Sequence, residues 1–151
     1  MTPKEACDKH LGDNDLAPKF IDKIINGKKE RIIETYCNFF VQRVCKDLGI
    51  TSFERLTANK ISDLIFDSPD WTCIDSENAY HHSQLDGLTI AVLGGNPHGH
   101  VGIVYPAIKL YSGKWGQYVP QVAHAGKDGP KIQGTNYAFR DLPFFFLRKY
   151  L

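Results

Sequence analysis

The sequence predicts an α+β fold in one domain, with N-terminal helices packed on an antiparallel β-sheet. Three observations lead there. The chain has 151 residues, 42% of them apolar, which is enough for one core and too few for two ordinary domains, so residues 1–151 read as a single unit. Its first half carries apolar residues at helical spacing and its second half short runs rich in β-branched residues. The strand–helix–strand alternation that builds a parallel sheet is missing, so helices should cover one face of antiparallel strands.

Taken in order, KFIDKII sets charged residues between apolar ones and reads as helical, up to a turn signal at Asn26-Gly27. The long segment ERIIETYCNFFVQRVCKDLG then places Ile33, Cys37, Phe40, Val41, Val44 and Leu48 on one helical stripe, with Gly49 where a C-terminal cap belongs. A second helix starts after Ser52 and carries Leu56, Ile61, Leu64 and Ile65, and Asp75 or Ser76 caps a third, short one through Ala79. From Leu88 onward LTIAVL, HVGIVYP, YVPQVAHA and PFFFLRKY read as strands. GGNPHG and the stretch from Gly126 to Gly134 read as loops.

Charge and cysteine usage narrow the partners. Eighteen Lys and Arg against seventeen Asp and Glu leave a formal charge of +1, so no strong field gathers phosphates, and nucleic acid is not an expected partner. The N-terminal MTPKEACDKHLGDNDLAPK has no apolar stretch behind a basic start, and no window approaches the roughly 18 apolar residues of a membrane helix, so neither conventional export nor membrane insertion is expected. Cysteines 7, 37, 45 and 73 form no CxxC pair and no zinc-finger spacing. Their even number permits a disulfide such as Cys7 to Cys73, whereas an unexported protein would keep all four reduced.

Three residues could carry chemistry together. A thiol serves as a nucleophile once ionised, which needs a helix N-terminus or a neighbouring imidazolium. Thr35 is placed to cap a helix beginning just before Cys37, which would aim backbone N–H groups at the sulfur. Cys37 also fits the apolar stripe as an ordinary core residue. His100 opens the run HVGIVYP directly after the GGNPHG loop, at the mouth of a strand from which it could reach a helix, or could be a satisfied structural histidine. His124 lies near the end of the next run. A hairpin centred near Ser112-Gly113 sets His124 opposite His100, where it could hold the imidazole in its working orientation. His10, His81, His82 and His98 read as surface residues, and a zinc site of His98, His100 and His124 would lack a carboxylate or an HExxH helix.

YCNFFVQRVCKDLG resembles the nucleophile helix of papain-like cell-wall hydrolases, and GHVGIVYP resembles their catalytic histidine strand. The group comprises the NlpC-type and CHAP peptidoglycan amidases and endopeptidases. TANKISDLIF followed by DW, then DGLTIAVLGG and HGHVGIV, is similar to the amidase effectors exported by type VI secretion and to related phage lytic proteins. The resemblance runs from about Cys37 to His124. It departs from the family at Tyr36, where Asn or Asp is usual, and at Asn38-Phe39-Phe40, where Ser-Gly-Phe is usual.

The resemblance implies a papain-like fold and a cysteine peptidase or amidase acting on the peptidoglycan stem peptide. Cys37 would be the nucleophile and His100 the acid and base. His124 would orient His100, with Gln121 the nearest substitute. No metal or organic cofactor is implied. The loops GGNPHG and Gly126 to Gly134 would flank the cleft, with Trp71 and Trp115 as aromatic contacts or packing residues. A specialised secretion machine or phage lysis would deliver such an enzyme to the periplasm or outside, and an effector's producer would hold an immunity protein. The same chemistry would serve a protease or acyltransferase acting on proteins, and the same scaffold a non-catalytic binding module.

Overall fold

The computed structural model describes residues 1–149; Tyr150, at the end of the last expected strand, and Leu151 lie outside the described residues. Helices α1 (Pro3–His10), α2 (Cys37–Asp47), α3 (Ala58–Asp67), α4 (Ser76–Gln84) and the one-turn α5 (Thr135–Ala138) accompany eight strands. Strands β1 (Lys19–Ile25) and β2 (Lys28–Glu34) form a separate hairpin. The other six, β3 (Trp71–Ile74), β4 (Thr89–Leu93), β5 (His100–Ser112), β6 (Gln117–Gly126), β7 (Gly129–Gly134) and β8 (Phe144–Arg148), make one sheet in the order β3-β8-β4-β5-β6-β7. Every pairing in it is antiparallel. The fold is therefore α+β, as expected.

The hairpin corrects the helical reading of KFIDKII and of the residues before Cys37. Seven residue pairs join β1 to β2. Asn26 (φ 51°) and Gly27 (φ 76°) supply the two left-handed residues that a tight hairpin turn requires. Asn-Gly between isoleucine-rich stretches is a hairpin signal, and it outweighs the helical spacing here. Ile33 therefore leaves the expected stripe and lies on β2, partly exposed.

Helix α2 starts at Cys37 and buries Phe40, Val41, Val44 and Cys45, each at 0% exposure; burial of each large apolar side chain contributes about 1.5–3 kcal/mol. Gly49 follows with φ 83°, as a C-terminal cap demands. Thr57, not Ser52, caps α3 through a 3.3 Å bond from the Lys60 N–H, and Leu56 precedes the helix. Asp75 caps α4, accepting from the Asn78 N–H at 2.8 Å.

Helices occupy both faces of the sheet, which differs from the single covered face expected. Side chains of α1, α2 and α3 pack with Ile90, Val92, Val101, Ile103, Ala123 and Ala125 in the larger core. Ala79 of α4 packs with Ala91, Val104, Val122, Phe139 and Phe145 in the smaller one. Successive strand residues face opposite ways, so Val101 and Ile103 belong to the α2 side and Val104 to the α4 side.

Candidate active site

The β5–β6 pair brings His100 and His124 together. Ile103 pairs with Ala123 and Val104 with Val122, a register two residues away from one that sets the histidines directly opposite. An even offset keeps both on one face, and the two side chains meet diagonally. His100 Nε2 lies 2.8 Å from His124 Nδ1, with the rings perpendicular and their centroids 4.9 Å apart. Gly102 makes room for this crossing, since a Cβ there would stand 3.2 Å from that of His124. Phe139, just beyond α5, closes the other side of His100 with centroids 4.8 Å apart.

A residue the sequence reading passed over completes the row. Gln133, on β7, places its Nε2 2.9 Å from His124 Nε2. The stretch from Gly126 to Gly134 was expected to be loop. Instead β7 pairs with β6 as far as Gln121↔Gly134, which aims Gln133 at the histidine. Gln121, the alternative third residue, is occupied elsewhere, donating to the Ile108 carbonyl at 3.0 Å.

Cys37 is the first residue of α2, behind Tyr36 at the N-cap, where no side chain caps the helix; Thr35 is not the cap. The open turn leaves N–H groups free, and the N–H groups of Val101, Asn38 and Cys37 itself favour the thiolate. Burial still outweighs them, and the thiol is pushed up to about 11. Cys37 is 5% exposed and packs within the larger core. Its sulfur meets the backbone of the residue directly after His100, but no hydrogen bond joins the thiol to either imidazole. The histidines are a bonded pair, and the cysteine adjoins them across the strand.

A cleft of about 780 Å³ opens over the imidazoles. Thr35 at the end of the β1–β2 hairpin, His98 of the GGNPHG loop, and Lys127, Asp128 and Lys131 of the β6–β7 turn line it, as do Lys114 and Arg140. Four cations and one carboxylate make its wall cationic, although the whole chain is near neutral. Two hydrogen bonds of Asn59, from its Nδ2 to the Gly95 carbonyl at 3.0 Å and from the Gly95 N–H to its Oδ1 at 3.1 Å, fix the root of the GGNPHG loop. Burial lowers His100 to about 4, helped by His98, and lowers His124 to about 3, helped by His100 and Lys131. Both rings are neutral at pH 7.

The remaining candidates lie elsewhere. Trp71 is buried in a different cleft between α3 and the segment Gly49–Leu56, stacked near Phe53 and Arg148. Trp115 packs against the smaller core, so neither tryptophan lines the histidine cleft. His10 is not a surface residue: it is 8% exposed and spans Asp13 at 2.6 Å and Asp47 at 2.7 Å, tying α1 to α2. All four cysteines are free thiols, with Cys7 buried and Cys73 exposed. Among the described residues no three His, Cys, Asp or Glu side chains are grouped to hold a metal ion, and no helix is long and apolar enough to cross a membrane.

Against known proteins, neither a family model nor a curated sequence matches the chain. Function is therefore argued from the site itself.

Proposed function

We propose that this protein is a papain-like cysteine peptidase or amidase that hydrolyses a peptide or amide bond in bacterial peptidoglycan. Cys37 is its nucleophile, His100 its acid and base, and His124 the group that orients His100. The observation that carries the reading is a convergence: a cysteine at an uncapped helix N-terminus packs behind β5 next to Val101, and across that strand a bonded histidine pair lines an open cleft.

In this mechanism His124 engages Nε2 of His100, which leaves Nδ1 as the nitrogen available to a reacting group. With His100 in the tautomer that leaves Nδ1 bare, the Cys37 proton passes to that nitrogen as the sulfur attacks the scissile carbonyl. The Cys37 N–H, in the uncapped first turn of α2, then bonds the oxyanion. His100 returns its proton to the leaving amine, and water activated by the same imidazole hydrolyses the thioester. A cationic cleft suits the stem peptide, which carries free carboxylates. As an antibacterial effector or a lytic protein it would reach the wall through a specialised secretion or lysis system, and a cognate immunity protein would cover this cleft.

A second reading has its own supporting observation. Cys37 is 5% exposed, its thiol is pushed up to about 11, and it shares no hydrogen bond with His100. These are the properties of a packing cysteine in a non-catalytic binding module. A protein-directed protease or acyltransferase shares the chemistry and differs in the substrate the cleft accepts.

Muropeptides incubated with wild type and with Cys37→Ala, both confirmed folded, separate the readings by product mass. Cleavage by wild type alone supports the peptidoglycan hydrolase, and the masses name the bond. Equal inactivity on every muropeptide removes the peptidoglycan claim, and turnover of protein substrates would then favour the protein-directed enzyme.

A further inference from the structure

Gln133, His124 and His100 form an unbroken row on one face of β7, β6 and β5, joined by contacts of 2.9 and 2.8 Å. A neutral imidazole has one nitrogen that donates and one that accepts. A bond fixed at one end of a row of such rings therefore dictates the proton position in each ring that follows. The Gln133 amide nitrogen has hydrogens to give and no lone pair to accept with, so His124 Nε2 must accept. His124 then carries its proton on Nδ1 and donates it to His100 Nε2. That nitrogen is an acceptor in turn, and the His100 proton sits on Nδ1.

From this chain of constraints we propose that Gln133 is a positioning residue that sets the tautomers of the His124–His100 pair, and that its amide selects whether His100 offers the cleft an acid or a base. The consequence for catalysis rests on the hydrolase reading; the tautomer assignment does not. With the amide nitrogen toward His124, His100 Nδ1 bears a proton and can only donate. Rotating the amide by half a turn presents Oε1, which accepts from His124 Nε2–H. His124 Nδ1 then accepts from His100 Nε2–H, and His100 Nδ1 is bare and basic. Between the two arrangements each ring stays neutral. One proton leaves His100 Nδ1 for water, one shifts from His124 Nδ1 to His100 Nε2, and one arrives from water at His124 Nε2.

Several features suit Gln133 to this role. The residue is neutral, so neither arrangement places a charge beside the buried rings. An amide offers a donor and an acceptor of nearly equal size, so the exchange needs no repacking. Burial holds both imidazoles in the neutral form, the form in which tautomers are defined. Both rings are confined: a Cβ at Gly126 would meet His124 Cε1 at 3.1 Å, and Phe139 packs on His100.

The test is long-range 1H–15N correlation of the imidazole nitrogens in substrate-free, 15N-labelled protein at pH 7. Wild type should show protonated Nδ1 and bare Nε2 in both His100 and His124. Gln133→Glu offers only acceptors, so both rings should invert to protonated Nε2. Gln133→Leu removes the lock and should give mixed tautomers, which keeps the proposal testable if the glutamate variant fails to fold. A wild-type His100 protonated on Nε2, or tautomers unmoved by Gln133→Leu, would overturn it. Muropeptide turnover is read on the same samples. Tautomers that respond in a protein without turnover sink the hydrolase reading alone, and turnover with tautomers that do not respond sinks the relay alone.

Discussion

The two faces of the β5–β6 pair do opposite things with adjacent residues. Val101, Ile103, Ala123 and Ala125 turn toward α2 and close a dry core. His100 and His124, one residue away in the chain, turn toward the cleft and form a polar row with Gln133. Strand alternation alone accounts for the separation. It allows a rigid apolar layer to hold polar groups without sharing their environment. Cys37 belongs to the first face by burial and shares its core with Val101, one residue along β5 from His100. The proposed hydrolysis depends on whether that single sulfur acts across the boundary.

The strongest way to break the comparison is at the boundary itself. Cys37→Ala should reduce turnover by on the order of 10⁴-fold or more while thermal unfolding moves little. A variant that unfolds and still turns over in its folded fraction would place Cys37 wholly on the dry side. Substitution within the dry face should show the reverse pattern. Ile103→Ala at a fully buried site should cost about 2–5 kcal/mol in denaturant unfolding, with kcat of the folded protein preserved.

Acid sharpens the contrast, because the cleft face holds two buried imidazoles and the dry face holds none. His100 and His124 have folded-state values lowered to about 4 and about 3, below the unfolded value of about 6.5. Between these limits the unfolded chain binds more protons than the folded one. The neutral pair's contribution is thus complete above about pH 6.5 and is lost as pH falls toward 4. The expected loss is on the order of a few kcal/mol, read from urea midpoints at pH 7 and pH 4.5. His100→Gln should remove much of that slope, and an unchanged slope would show that the imidazoles are already solvated. The smallest effect lies outside both faces, in the β1–β2 hairpin. Gly27→Ala, at φ 76°, should cost about 1 kcal/mol and leave turnover at the cleft nearly unchanged.

The legibility of this molecule in its sequence follows the same division. Strands β4, β5, β6 and β8 were readable because β-branched and aromatic runs announce them; the shared face of His100 and His124 survived because the expected register is off by two residues, an even error that keeps the face. Helix α2 was readable from its stripe, but its start was not. Thr35 looked like a cap, whereas the chain is still leaving β2 there and Tyr36 takes the N-cap position without a side-chain bond. The hairpin is hidden because Phe20, Ile21, Ile24 and Ile25 are spaced as on a helix, and Asn26-Gly27 fits a helix break as well as a hairpin turn. Strand β7 and Gln133 were hidden in GPKIQG, where Gly and Pro suggest a loop and only the Gly126–Gly129 turn signals a return strand. His10 was misplaced because its partners, Asp13 and Asp47, come from different elements, and no local pattern links α1 to the end of α2.

Cysteine reactivity tests the central claim most directly. Wild type and His100→Gln are treated with iodoacetamide at pH 7, and the modification rate of each of the four thiols is followed by peptide mass spectrometry. If Cys37 is the nucleophile, it should alkylate many times faster than exposed Cys73 despite its burial, and His100→Gln should abolish the excess while Cys73 is unaffected. If Cys37 is as inert as buried Cys7 and Cys45 in both proteins, the sulfur belongs to the dry face and the hydrolase account is wrong.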